Sequence, residues 1–499
     1  MDFGTVPDLV RQVARARPRH LAVVQDDARG VRTLDYAAFD ALVDRIAAAL
    51  QRDGVRPRDA VAVCAANSIE YAAFFIGVLR AGACVAPLPP SATAESIAQM
   101  RADSGSKLWF TDRELERLED WIAAPGTRPR PVDIQPDWPF NIIYSSGTTG
   151  TPKGIVHPHA MRWAHVQRAA GLGYGPDAVT LLSTPLYSNT TLVSFLPAVG
   201  LGGTAILMAK FDVRSYLELA QKYRVTHTML VPVQYQRLMA FPEFDRYDLS
   251  AFPLKRCTSA PFAPALKAEV VRRWPGRLLD SYGLTEGGGT CMLDCTAHPD
   301  KLHTVGVPAP GHDIRLIDES GVEVPRGGTG EVVGHSPGIM TGYHNQPEKT
   351  REAEWHDPSG KRFIRTGDVG RFDDDGFLVL VDRKKDMIIS GGFNIYPSDL
   401  EAVLREHPDV AEVSVVGVPS KEWGETPVAF AVLRNDASRD EILAFANARL
   451  GKTQRLAALE IVDALPRSAI GKVLKRELRE RYLRSGTATD LTSHSSGDR

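Results

Sequence analysis

In the segment LDYAAFDALVDRIAAAL, Tyr36, Phe39, Leu42 and Ile46 recur at three- and four-residue spacings, which predicts an amphipathic helix. VRPRDAVAVCAAN then predicts a strand, SIEYAAFFIGVLRAG a helix and ACVAPLPP a strand, an order that favours a parallel sheet covered by helices. The same rhythm returns over residues 139–290, with strands FNIIY, TAILM, THTMLVP and LLDSYG and helices RSYLELAQKY and APALKAEVVRRW. From Thr304 onward short β segments split by Gly and Pro take over (DIRLID, GEVVGH, FIRTGDVG, GFLVLVD), the spacing of a small antiparallel sheet or barrel. After DRKKDM the pattern restarts with helix PSDLEAVLREH, strands VAEVSVVGVP and TPVAFAVL, helix RDEILAFANARL, strand ALEIVDALP and basic helix VLKRELRERYL. The expected fold class is α/β. A large N-terminal domain over 1–384 holds two helix-covered, mainly parallel sheets and a small β-barrel near 304–384. A smaller α+β domain follows over 385–485, and the polar tail 486–499 is expected to be disordered.

Charge and composition narrow the function. The 499 residues are about three times the usual size of one domain. Lys and Arg number 59 against 61 Asp and Glu, so no global positive excess draws the chain to nucleic acid or an anionic membrane. The five cysteines (Cys64, Cys84, Cys257, Cys291, Cys295) are odd in number and lack CxxC spacing, which argues against a disulfide framework or a structural zinc site. The N-terminus lacks the apolar core of a secretory signal. Ala178 to Ala209 carries no charge and is long enough to span a bilayer, but Pro185, Asn189, Pro197, Gly200, Gly202 and Gly203 interrupt it. It is read as a loop, a buried helix (TTLVSFLPAVG) and a buried strand (TAILMA), and the protein as cytoplasmic with no membrane span.

The chemistry concentrates in YSSGTTGTPKG, Tyr144 to Gly154, directly after the strand FNII. Small Gly, Ser and Thr residues let backbone N–H groups and hydroxyls converge on phosphate. The stretch is not a Walker A loop, because Lys153 is followed by Gly154 rather than Ser or Thr. YSSGTTGTPKG resembles the phosphate loop of the adenylate-forming enzymes, which include acyl- and aryl-CoA ligases, luciferases and peptide-synthetase adenylation domains. Further motifs follow in the family's order: SYGLTEGGG (Ser281 to Gly289), GEVVGHSPGIMTGYHNQPEKT, RTGD (Arg365 to Asp368), DRKKDMIISGGFNIYPSDLE (Asp382 to Glu401) and PRSAIGKVLKRELR (Pro466 to Arg479). The resemblance covers residues 7 to 483.

That resemblance implies an ATP-dependent carboxylic acid–CoA ligase, with ATP, Mg²⁺ and coenzyme A as cofactors. Ser145, Ser146, Gly147, Thr148, Thr149, Gly150 and Lys153 would cradle the phosphates. Ser281, Tyr282 and Gly283 would hold adenine, with Tyr282 stacked on it. Thr285 would face the α-phosphate and Glu286 would be the Mg²⁺ ligand. Asp368 would bind the ribose hydroxyls, and Arg383 the ribose and phosphates. Lys472 would neutralise the adenylation transition state. Lysine is the scarce cation here, 15 against 44 Arg, so its use in PRSAIGK is pointed. In the second half-reaction the smaller domain would rotate about Lys385, and Gly391 and Gly392 would line the pantetheine path. Trp423 and Arg455 would contact CoA. Acetylation of Lys472, by an acetyltransferase opposed by a deacetylase, would switch adenylation off.

The acyl pocket is expected at Tyr187, Ser188, Asn189, Tyr235, Ser259, Ala260, Pro261, Gly287, Gly288 and Gly289. Ser188 stands where many relatives have a gating His. The glycine run is read as room for a bulky acyl group. Apart from Arg237 these segments hold no cation, so an aromatic monocarboxylate is expected, with Tyr187, Ser188, Asn189 and Tyr235 free to bind a ring hydroxyl. The alternatives are a medium- or long-chain fatty acid and a carrier-protein-loading adenylation enzyme. Monomer and homodimer both remain open.

Overall fold

The computed structural model describes residues 3–145, 153–383, 386–390, 393–420, 423–451, 454–467 and 472–485. Two compact units divide the chain, one built from 1–315 with 333–366 and the other from 316–332 with 367–499. Ser146 to Gly150, Lys385, Gly391, Gly392 and the tail 486–499 lie outside the described residues.

In the first unit a nine-stranded sheet runs, edge to edge, through Val307–Pro308, Gly287–Asp294, Arg277–Leu284, Leu254–Cys257, His227–Leu230, Val179–Leu182, Thr204–Leu207, Leu21–Asp27 and Gly30–Asp35. Its centre is parallel and both ends close with antiparallel hairpins. A six-stranded sheet orders Gly342–Tyr343, Lys153–Pro158, Pro139–Ser145, Cys84–Pro87, Ala60–Cys64 and Leu108–Thr111. The anticipated helices are present: Tyr36–Arg52 starts where the Asp35 carboxylate accepts the Ala38 N–H, and Ile69–Arg80 where the Ser68 hydroxyl accepts that of Tyr71. Phe39, Val43 and Ile46 share one buried core with Phe74, Phe75 and Val78. The uncharged stretch resolves into the buried helix Asn189–Gly200 and strand Thr204–Leu207, and among the described residues no helix is long and apolar enough to cross a membrane. The helix His159–Ala170 was not anticipated, because its basic residues mask its apolar side.

The second unit contains a five-stranded sheet ordered Phe393–Ile395, Ile388–Ser390, Gly424–Leu433 and Val410–Ser420, with Ala458–Ile461 beside Gly424–Leu433. Helices Pro397–Arg405 and Arg439–Asn447 bury Leu400, Leu404, Ile442 and Ala446 in one core. Lys475–Arg484 buries Leu478 and Tyr482 in another. All five cysteines are buried and free.

Candidate functional site

The hairpin of Arg277–Leu284 and Gly287–Asp294 carries the SYGLTEGGG motif. Ser281 pairs with Met292, Tyr282 with Cys291 and Gly283 with Thr290, and the register shifts at Leu284, so Thr285 and Glu286 form the tip. Three bonds hold that tip within the first unit. The Thr285 carbonyl accepts His157 Nε2 at 2.7 Å, the Glu286 carbonyl accepts the Met340 N–H at 2.9 Å, and Glu286 Oε1 accepts the Tyr343 hydroxyl at 2.8 Å. The Lys153 ammonium stands 5.1 Å over the Tyr343 ring. Lys153, Thr285 and Glu286 are therefore brought together by residues that lie far apart in the chain. Ser145 pairs in register with Lys153, where the strand from FNII returns after the phosphate-loop motif.

His157 is locked in one tautomer. A carbonyl can only accept, so Nε2 carries the proton, while Nδ1 accepts from Arg162 Nη2 (2.7 Å) and Asn141 Nδ2 (3.1 Å). Burial, then the Arg162 charge, push its pKa well below the usual range, so it is neutral. Arg162 is itself fully buried and also donates to Asn141 Oδ1 (3.0 Å) and Asn189 Oδ1 (2.7 Å). Burial lowers its pKa to about 9. Sequence reasoning missed Asn141, His157, Arg162 and Tyr343. The signal for Arg162 was present in HAMRWAHVQR, which repeats a basic residue at every third position of a helix.

Several pocket expectations are corrected by this geometry. Tyr235 is fully buried between Phe262 and Trp274, and its hydroxyl donates to the Arg256 carbonyl at 3.0 Å, so it packs the core. The Asn189 side-chain oxygen is taken by Arg162 rather than left for a ring hydroxyl. The glycine run makes no empty space: a Cβ on Gly287 would lie 2.0 Å from the Gly338 carbonyl oxygen, on Gly288 2.6 Å from Ile364 Cβ, and on Gly289 2.3 Å from Ile314 Cδ1. All three also have positive φ, which an L side chain rarely adopts. These glycines close the hairpin against neighbouring chain. Gly287→Ala should thus lower stability by about 3 kcal/mol, from strain plus overpacking, seen as a lower urea midpoint. An unchanged midpoint with a narrowed acid range would restore the open-pocket reading.

Ser188 caps Asn189–Gly200 by accepting the Thr190 N–H at 3.3 Å. Ser259 has positive φ, and its hydroxyl is hydrogen-bonded to that of Thr190 at 2.7 Å. Tyr187 and Ala260 are half-buried, Pro261 and Arg237 exposed. Ser281 is buried, with a hydroxyl that has no partner among the described residues.

In the second unit, Asp368 is buried and pairs in strand register with Arg383. Trp423 sits at the tip between Val410–Ser420 and Gly424–Leu433, 46% exposed, and Arg455 is exposed. Lys472 is half-buried just before Lys475–Arg484. The Lys475–Glu401 (3.0 Å) and Arg467–Glu412 (2.7 Å) ion pairs anchor the chain on either side of it.

The profile of the AMP-binding enzyme family matches residues 10–344, and that of the AMP-binding enzyme C-terminal domain matches residues 399–472. The chain belongs to the AMP-binding enzymes. A feruloyl-CoA synthase from an Amycolatopsis species is 34% identical over 94% of this chain and 97% of its own. The long-chain-fatty-acid–CoA ligase FadD13 of Mycobacterium tuberculosis is 32% identical over 95% and 98%. ATP-bound MatB from Rhodopseudomonas palustris superposes with a TM-score of 0.84 at 27% identity, over 96% of this chain and 99% of that one.

This AMP-binding enzyme is an adenylate-forming ligase of the acyl-CoA synthetase class, which uses ATP, Mg²⁺ and CoA. Its residues fit the ion. Glu286 keeps one carboxylate oxygen clear of the Tyr343 hydrogen bond, and a single carboxylate suits a cation that takes its other ligands from water and phosphate.

Proposed function

We propose that this AMP-binding enzyme activates an aromatic carboxylic acid as its acyl-adenylate and then transfers the acyl group to CoA. The observation that carries the reading is the hairpin tip, where Thr285 and Glu286 are held by His157 and Tyr343 beside Lys153. In-line attack of a carboxylate on the α-phosphate brings negative groups together, so preset donors and cations do most of the work. Lys153 and the loop Ser145 to Gly150 bind phosphate, and Thr285 donates to the α-phosphate oxygen. Glu286 would hold Mg²⁺, whose charge offsets that of the phosphates. Tyr282 covers adenine, and Asp368 and Arg383 bind ribose. Lys472 supplies the charge at the transition state.

After adenylation the domain over 385–485 turns about Lys385, withdrawing Lys472 and bringing Gly391 and Gly392 to the pantetheine path. Trp423 and Arg455 hold CoA, and the exposure of both supports an external ligand there. A feruloyl-CoA synthase among the relatives supports an aromatic acid, and FadD13 keeps a fatty acid as the second reading. The enzyme would work in the cytoplasm as a monomer or homodimer, with acetylation of Lys472 turning adenylation off.

The test is pyrophosphate release with ATP and Mg²⁺ over benzoates, cinnamates, fatty acids and amino acids, with and without CoA. CoA-dependent turnover highest on an aromatic acid is expected. Adenylation that yields no CoA thioester would move the acceptor to a carrier protein, and a best rate on fatty acids would overturn the aromatic reading.

A further inference from the structure

The strand order of the nine-stranded sheet reverses at Val179–Leu182. From there the chain passes to the neighbour on one side, Thr204–Leu207, and then crosses back to the neighbour on the other, His227–Leu230. All three strands are parallel. Such a reversal leaves a crevice beyond the carboxyl ends of the strands, where ligands bind in open α/β sheets. Residues 183–189 leave Val179–Leu182 at that crevice, and they carry Tyr187, Ser188 and Asn189 of the expected acid pocket.

Residues 183–188 are neither strand nor helix, so no ladder fixes their backbone. A side chain from the other sheet does so instead. Asn67 follows Ala60–Cys64 of the six-stranded sheet. Its Nδ2 donates to the Thr184 carbonyl at 2.9 Å and the Met208 carbonyl at 3.0 Å, while its Oδ1 accepts the Leu186 N–H at 2.7 Å. Carbonyls can only accept, so the amide fits in this orientation alone and both its hydrogens are spent. Asn67, Thr184, Leu186 and Met208 are all buried, which keeps water from replacing these bonds.

The base of Asn67 is itself fixed. The Ala66 N–H donates to Asp112 Oδ1 at 2.9 Å, and Ser68 caps the helix Ile69–Arg80. A second lock closes the turn from within. The Thr191 hydroxyl donates to the Pro185 carbonyl at 2.6 Å, so its one proton is used and the Thr184 hydroxyl donates to it at 2.7 Å.

We propose that Asn67 is a positioning residue for the acid substrate. By fixing residues 184–186 it sets where Tyr187 and Ser188 stand at the crevice, with no amide hydrogen left for a ligand. The tip at Thr285 and Glu286 is held separately, by His157, Met340 and Tyr343. Loss of Asn67 thus weakens acid binding and spares ATP binding. The inference rests on the ligase reading and on its acid pocket.

The test uses Asn67→Leu, which removes all three bonds at similar volume, and Asn67→Asp, which sets a carboxylate against two carbonyls. Acid KM, ATP KM and kcat are measured for pyrophosphate release, on whichever benzoate, cinnamate, fatty acid or amino acid turns over fastest. Amide hydrogen exchange is followed over residues 183–191 and 281–290. Acid KM should rise about tenfold or more, with ATP KM and kcat within about threefold of wild type. Exchange should quicken over 183–191 and stay unchanged over 281–290. Thr191→Val removes the inner lock, should give the same split, and replaces Asn67→Leu if that variant does not fold. An unchanged acid KM, or an ATP KM that rises in step with it, overturns the inference. If no acid releases pyrophosphate, the ligase reading falls by itself and exchange decides the role of Asn67: quickening over 183–191 alone upholds it, and no change ends it.

Discussion

Lys472→Ala is expected to cut acyl-adenylate formation by about 10²–10³-fold, the loss of roughly 3–4 kcal/mol of transition-state stabilisation typical of one charged or oxyanion-binding group. Thioester formation from supplied acyl-adenylate and CoA should change by only a few-fold. The asymmetry follows from the proposed rotation, which uses this lysine in the first half-reaction and removes it for the second. The chemistry suits lysine. Its compact ammonium would reach two oxygens at the proposed in-line centre, where a planar guanidinium would demand its own bidentate geometry. The Lys475–Glu401 and Arg467–Glu412 ion pairs tie the described chain on either side to the domain. Acetylation should mimic the alanine variant, since both delete the charge. Pyrophosphate exchange and single-turnover thioester formation measure the two halves separately. Equal loss of both would contradict the rotating-domain account.

Lys267→Met should lower stability by about 3–5 kcal/mol, the usual result of leaving one member of a buried ion pair alone. Lys267 and Asp280 are both buried and 2.8 Å apart, and the ammonium also donates to the Thr304 carbonyl at 3.0 Å. Asp280 immediately precedes Ser281, so its carboxylate sits at the root of the hairpin that ends in Thr285 and Glu286. Burial already raises the Asp280 pKa even with Lys267 beside it. A carboxyl with a raised folded-state pKa binds more protons folded than unfolded, so stability falls as pH rises through that window. Without Lys267 the window extends upward, and the variant's deficit should be larger at pH 8 than at pH 5. Adding Asp280→Leu should recover much of the loss, because an apolar pair needs no charge compensation. Urea unfolding of the two variants at both pH values checks this. A deficit independent of pH would show that lost packing, not the stranded carboxylate, is responsible.

The family's chemistry was readable from residue types in order. YSSGTTGTPKG, SYGLTEGGG, RTGD and PRSAIGK announce phosphate and nucleotide chemistry because each packs its small, hydroxylated or charged groups into one short segment. The alternation of strands and helices was equally local. Ser68 and Asp35 cap their helices with their own side chains, and the apolar runs of Ala60–Cys64 and Cys84–Pro87 mark strands buried on both faces.

The failures share a cause. Gly287, Gly288 and Gly289 read as vacant space, since a sequence cannot show that Gly338, Ile364 and Ile314 already fill it. Tyr235 read as a pocket phenol, since the Arg256 carbonyl that accepts its hydrogen bond arrives from a strand outside its own helix.

The sequence by itself thus determined most of the elements that form and which family's chemistry the chain carries. Each of those properties is written within a few consecutive residues. Tertiary structure alone decided that His157 is neutral and fixed on Thr285, and that Tyr343 holds Glu286. It also decided that Arg162 is buried against Asn141, His157 and Asn189. Such properties depend on desolvation and on which groups meet across long separations, and both come into existence only when the sheets and helices pack.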